Sequence, residues 1–150
     1  MQAMETQLLT LLESKPAGVV SVSPDATVAA AVELINSRRV GAVMVMNGPL
    51  LMGIFTERDV LRRVVGERRD PDTTRIGDVM TRELVVMRPT ATVQDAMTVV
   101  AERRCRHLPI VEDGRVLGII SAGDLNHWLI RNREVDIQQL VEYISGKYPA

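Results

Sequence analysis

One cysteine, Cys105, occurs in 150 residues, so no intrachain disulfide can form and nothing asks for an oxidising compartment. Aromatic residues make up only 3%, which leaves Val, Leu, Ile, Ala and Met to build the core. No apolar run approaches the ~20 residues of a membrane span. The N-terminus lacks the basic start and apolar stretch of a signal peptide, so a cytoplasmic protein is expected. The formal net charge of −1 provides no global attraction to nucleic acid or anionic membrane. Lysine is nearly absent: Lys15 and Lys147 are the only two, and arginine supplies the other cations. Guanidinium groups suit two-point contacts to phosphate or carboxylate, although most of these arginines read as solvated faces. There is no Ser-His-Asp order, no metal-spaced His/Cys set and no glycine-rich phosphate loop, so an enzyme is not expected.

What the chain does have is a repeat. Leu51 to Asp59 (Leu-Met-Gly-Ile-Phe-Thr-Glu-Arg-Asp) returns as Val116 to Asp124 (Val-Leu-Gly-Ile-Ile-Ser-Ala-Gly-Asp). Each copy is an apolar strand-like run with a Gly, then a hydroxyl residue, then an Asp three positions later. Hydroxyl-x-x-Asp is the capping-box pattern of a helix start. A strand ending at a helix N-terminus presents free backbone N–H groups and a positive dipole end, which suits phosphate. Pro24 and Pro89 differ by 65, as do Thr27 and Thr92, Arg38 and Arg103, Gly53 and Gly118, and Asp59 and Asp124. One offset aligns Pro24 to Val65 with Pro89 to Ile130 without a gap.

The periodicity in each copy predicts β-α-β-β-α. In the first, these are a strand at Val19–Val22, a helix capped by Thr27 that runs to about Arg38 before the break at Gly41, strands Ala42–Met46 and Leu50–Phe55, and a helix from Thr56 to about Val65. In the second they are a strand at Leu84–Met87, a helix capped by Thr92 with Asp95, strands His107–Val111 and Val116–Ile120, and a helix Ser121–Arg131. The fold class is therefore α/β, with tandem pseudo-twofold βαββα repeats and extra N- and C-terminal helices. The expected division is an N-terminal helix at 1–15, a first repeat at 16–70, a second at 71–133, and a C-terminal helix and tail at 134–150. The apolar stripes Met4/Leu8/Leu12 and Ile137/Leu140/Val141/Ile144 need cover, which a dimer interface would supply.

These motifs resemble the CBS-domain pair, or Bateman module. The residues carrying the likeness are Val-Ser-Pro-Asp-Ala-Thr-Val at 22–28, Arg-Pro-Thr-Ala-Thr-Val at 88–93, Arg-His-Leu-Pro-Ile-Val at 106–111, and the two Gly-Ile motifs at 53–59 and 118–124. Ile-Gly-Asp-Val-Met-Thr at 76–81 fits the family's opening of a second repeat. The resemblance covers roughly residues 16 to 133 and suggests a stand-alone CBS pair. It implies adenosine ligands bound between the repeats: AMP, ADP, ATP or NAD, with S-adenosylmethionine behind them. It also implies a disc-shaped homodimer, an unidentified regulated protein as partner, and a regulatory role. In the family the motif Asp holds the ribose hydroxyls, the hydroxyl residue contacts ribose or phosphate, and strand backbone flanks adenine.

The candidate ligand-binding residues are Thr56, Arg58, Asp59, Arg106, His107, Pro109, Ser121 and Asp124. An ionised Asp can accept two hydrogen bonds from a vicinal diol, or can simply complete a capping box. Gly123 lets a ligand approach the second cap closely, where the first has Arg58. Arg58 sits against the helix dipole, a conflict that a nearby phosphate would remove; pairing with Glu57 or Asp59 would also do so. Arg106 and His107 stand where the first repeat has Gly41 and Ala42, so the two clefts should differ. His107 also reads as an ordinary surface or capping histidine. In the family, Pro109 often lines the adenine pocket. Cys105, aligned with Val40, reads as a small core residue. Trp128 stands at the outer edge of its helix, where it would cover a dimer contact or a terminal helix.

The leading functional expectation is a regulatory adenosine-nucleotide sensor signalling by a change between the repeats. The alternative is a constitutive dimeric assembly protein with non-functional clefts. RNA or single-stranded DNA on the Arg58/Arg62/Arg63/Arg68/Arg69 cluster is disfavoured by the absence of interleaved aromatics.

Overall fold

A computed structural model describes residues 2–15 and 19–132. The expected C-terminal helix lies outside the described residues. In the first repeat, β1 (Ser21–Val22) is followed by α3 (Val28–Arg38), β2 (Ala42–Asn47) and β3 (Leu50–Thr56), with α1 (Gln2–Glu5) and α2 (Leu8–Glu13) ahead of them. The next helix starts as α4 (Glu57–Asp59) and continues with π-type bonding through Val60–Val65. A 3₁₀ turn at Ile76–Asp78 leads to the second repeat: α5 (Val93–Arg103), β4 (His107–Glu112), β5 (Arg115–Ser121) and α6 (Ala122–Arg131). The helix starts are chemical. Thr27 accepts the N–H of Ala30, and Thr56, Thr92 and Ser121 each form a full capping box with the Asp three positions on. Such a cap is worth about 1 kcal/mol.

β2 pairs antiparallel with β3, and β4 with β5, each with a register shift at the same place: Val45/Met46 and Ile110/Val111. Both hairpins turn in two residues; in the second, Asp113 (φ 51°) and Gly114 (φ 76°) take the left-handed conformations of a tight hairpin turn. β1 pairs parallel with β2 (Val22 with Val45). The strand expected at Leu84–Met87 shrinks to one parallel bridge, Met87 with Ile110. Pro109 is the reason. In the first repeat the Met44 N–H donates to the Val20 carbonyl at 3.0 Å. Pro109 stands in Met44's place and has no N–H to offer Val85. The Met87 N–H still reaches the Pro109 carbonyl (3.0 Å), and the Val111 N–H the Met87 carbonyl (2.9 Å).

The chain has two cores, and each takes in the arm that precedes the other repeat. Ile76, Val79 and Met80 pack with Val28, Ala31, Val43, Val45 and Phe55 of the first repeat. Leu8 and Leu11 pack with Val93, Ala96, Leu108, Ile110 and Leu125 of the second. The arms are equivalent. Gln7 bridges to Thr92 as Arg75 bridges to Thr27, and the pairs Leu8/Ile76, Leu11/Val79 and Leu12/Met80 share an offset of 68. This corrects the expectation that the N-terminal stripe awaits a dimer: Leu8 is 0% exposed within one chain, and Met4 and Leu12 also pack on the second core. The first repeat's helix ends at Arg38, where the sequence places its end, ahead of the break at Gly41. The cap is Arg39 in left-handed backbone (φ 55°), mirrored by Arg104 (φ 52°).

Candidate functional site

Each repeat's motif helix meets a corner of the other repeat, which makes two clefts. The first, about 360 Å³, brings Thr56, Glu57 and Arg58 to Arg104, Cys105, Arg106 and His107, with Thr81, Glu83, Leu84 and Val85 along one wall. The second, about 480 Å³, brings Ser121 and Asp124 to Arg38, Arg39, Val40 and Ala42, with Leu12, Lys15 and Val20 along the equivalent wall. Both volumes suit small ligands. Both are cationic in a chain of net charge −1: three arginines face two glutamates in the first, and Arg38, Arg39 and Lys15 face Asp124 in the second.

The free amides expected at the caps are mostly engaged. Thr56 and Ser121 N–H groups go to Asp59 (3.0 Å) and Asp124 (2.8 Å). Glu57 and Ala122 N–H groups go to the carbonyls of Gly41 (3.1 Å) and Arg106 (2.8 Å). Asp59 and Asp124 N–H groups go to the hydroxyls of Thr56 (3.2 Å) and Ser121 (3.0 Å). In each first turn this leaves one amide, that of Arg58 or Gly123, without a partner among the described residues. A phosphate at either cap would therefore meet one N–H there, with the arginines supplying the rest.

The two motif carboxylates differ. Asp59 is 5% exposed; Oδ2 accepts from Thr56, and Oδ1 accepts the Thr81 hydroxyl at 2.9 Å and lies 3.6 Å from Arg63 Nε. Arg63 in turn donates to the Met80 carbonyl at 2.7 Å. Asp59 is thus spent on holding the linker arm against its repeat. Asp124 borders its cleft, half-buried, with Oδ2 accepting from the Ser121 N–H (2.8 Å) and from Lys15 Nζ (2.7 Å). Burial pushes its carboxyl up, but the Lys15 ammonium and the Ser121 donors outweigh that and hold it below the usual carboxylate range.

His107 borders both clefts. Burial first, and then the Arg106 guanidinium, lower its pKa below the ordinary 6.5. The imidazole enters beside Gly41, where a Cβ would stand 3.2 Å from Nε2. Arg58 and Arg106 are exposed on the rim of the first cleft. Pro109 is buried in β4 and borders neither cavity; its effect on the site is indirect, through Val85. Burial raises the Cys105 thiol, which packs on the second core as well as bordering the first cleft. Trp128 also packs on that core, with its Nε1 buried and unpartnered among the described residues.

Sequence reasoning missed Lys15, Arg39, Thr81 and Arg104. The offset of 65 joining Arg39 to Arg104 was a signal, as was the offset of 68 joining the arms. Left-handed backbone at a non-glycine residue is uncommon, and here it falls at the mouth of each cleft. A further cavity, about 680 Å³, lies elsewhere. It is an open groove between α3 and the helix through Val65, lined mainly by Val28, Val32, Val60, Val64 and Val65. It is apolar and collects few charges, unlike the two clefts.

Tandem βαββα repeats, crossed arms and two symmetry-related clefts between repeats define a paired-repeat module. The CBS domain family model matches residues 14–66 and 76–131, and the chain belongs to that family as a CBS pair. It is 35% identical over 129 residues to the mitochondrial CBS domain-containing protein CBSX3 of Arabidopsis thaliana, covering 83% of this chain and 63% of that protein. It is 36% identical over 107 residues to CBS domain-containing protein YhcV of Bacillus subtilis, covering 71% of this chain and 76% of the relative. Among solved structures, a CBS-domain protein of Burkholderia ambifaria superposes with a TM-score of 0.82 at 32% identity, covering 86% of this chain and 97% of that one. CBS domains are generally regulatory rather than catalytic. No described helix is long and apolar enough to cross a membrane.

Proposed function

We propose that this CBS pair is a cytoplasmic sensor of adenosine nucleotides that signals to a partner protein through a change in the angle between its repeats. The observation that carries the reading is the second cleft. A half-buried carboxylate at a helix start faces two arginines of the other repeat across about 480 Å³. An ionised Asp accepts both hydroxyls of a ribose, and guanidinium groups across the cavity take the phosphates. The first cleft, with Asp59 buried, is the poorer ribose site, and its Arg58, Arg104 and Arg106 are suited to a phosphate-rich end. Ligand in either cleft touches both repeats, so it biases their relative arrangement by its difference in affinity for the two states. The family resemblance puts AMP, ADP, ATP and NAD first. A homodimer would cover the apolar groove beside α3, whose lining includes the 64% exposed Val65.

The test is a thermal-shift panel with AMP, ADP, ATP, NAD and S-adenosylmethionine on wild type and Asp124→Ala. A ligand at 100 times its dissociation constant adds about 2.7 kcal/mol. The reading requires a rise with at least one compound that Asp124→Ala abolishes. A flat panel on folded, nucleotide-free protein would sink it and favour a constitutive assembly role.

A further inference from the structure

We propose that Lys15 is a built-in competitor for the ribose site of the second cleft, an inference that rests on the sensor reading above. The Lys15 ammonium lies 2.7 Å from Asp124 Oδ2 and 2.7 Å from the Ile119 carbonyl. Oδ2 also accepts the Ser121 N–H at 2.8 Å, so its two lone pairs are both engaged. A vicinal diol needs both carboxylate oxygens. It can have Oδ2 only after Lys15 leaves.

The lysine is delivered from a fixed point. Leu8 and Leu11 anchor α2 in the second core, and Leu12 lies over Gly118 in the same cleft. Ser14 closes the helix by donating its hydroxyl to the Leu11 carbonyl at 2.6 Å, and Lys15 follows directly. The contact has no counterpart in the first cleft. Glu83 stands three positions past Met80, as Lys15 stands three past Leu12, and a glutamate cannot pair with Asp59. The arm therefore gates one cleft only. Lys15 and Asp124 side chains are each 28% exposed, so the bond is reachable by solvent and can be exchanged for a ligand.

The experiment is calorimetric titration of wild type, Lys15→Met, Lys15→Arg and Asp124→Ala with adenosine, which offers the diol without phosphate, and with AMP. Removing a charge-assisted competitor should tighten adenosine binding roughly three- to tenfold in Lys15→Met. The same variant should melt lower than wild type without ligand, because Asp124 loses its partner. Lys15→Arg retains a cation and should titrate like wild type. Unchanged or weaker adenosine binding in Lys15→Met, with Asp124→Ala still abolishing it, would overturn the competitor and leave the cleft reading standing. Binding of neither probe to wild type or Lys15→Met would overturn both.

Discussion

Asp59 and Asp124 occupy the same position in their repeats and complete the same capping box, yet Asp59 is buried whereas Asp124 borders an open cleft. What differs is the arm lying beside each. The linker arm gives Asp59 a threonine hydroxyl at 2.9 Å, and the helix that follows adds Arg63. The N-terminal arm gives Asp124 only the tip of a lysine. A duplicated motif thus has one copy committed to holding the module together and one copy bordering a cleft. Symmetry places the carboxylates; their non-equivalent neighbours decide which is available.

The equivalence of the arms is the first thing to break. Leu8→Ala and Ile76→Ala should each cost about 2–5 kcal/mol in denaturant unfolding, since both side chains are fully buried. A dispensable N-terminal arm would instead leave Leu8→Ala near neutral. The carboxylates come next. Asp59→Ala should cost about 2–3 kcal/mol, because it removes the cap and leaves the half-buried Thr81 hydroxyl without its acceptor, against about 1 kcal/mol for the cap lost in Asp124→Ala. Equal losses would erase the distinction between them. The glycines divide in the same sense. A Cβ at Gly53 would stand 2.7 Å from the Thr81 carbonyl oxygen, which is backbone, whereas at Gly118 it would stand 2.7 Å from a Leu12 methyl, which can turn away. Gly53→Ala should therefore destabilise by about 1–3 kcal/mol and more than Gly118→Ala, as read from melting midpoints.

The smallest effect is on pH dependence. His107 has a folded pKa below its ordinary 6.5, so below that pH the unfolded chain binds the extra proton first. Stability should decline as pH falls through this region, and His107→Gln should flatten the decline. Asp124, held below its ordinary 3.8, contributes stability present above that value and lost as pH drops further. Lys15→Met should weaken that acid limb.

The capping boxes at Thr56, Thr92 and Ser121 and the hairpins were legible because each rests on local chemistry: hydroxyl-x-x-Asp spacing, alternating apolar runs and two-residue turns. The arms were less so. Leu8 and Leu11 announce a helix, but only the second core shows what covers it. Pro109 drew notice as a residue near a ligand; its visible physical effect is on the pairing of Val85, which lies on the far side of α5 in sequence. Lys15 carries no motif at all. Its role follows from where α2 ends, and no periodicity reveals that two charges 109 positions apart meet.

The central claim is that the duplicated cap has one working carboxylate. It is tested most directly by titrating AMP into wild type, Asp59→Asn and Asp124→Asn under matched, folded conditions. The account predicts binding by wild type and Asp59→Asn, and its loss in Asp124→Asn. Loss in Asp59→Asn with binding intact in Asp124→Asn would contradict it.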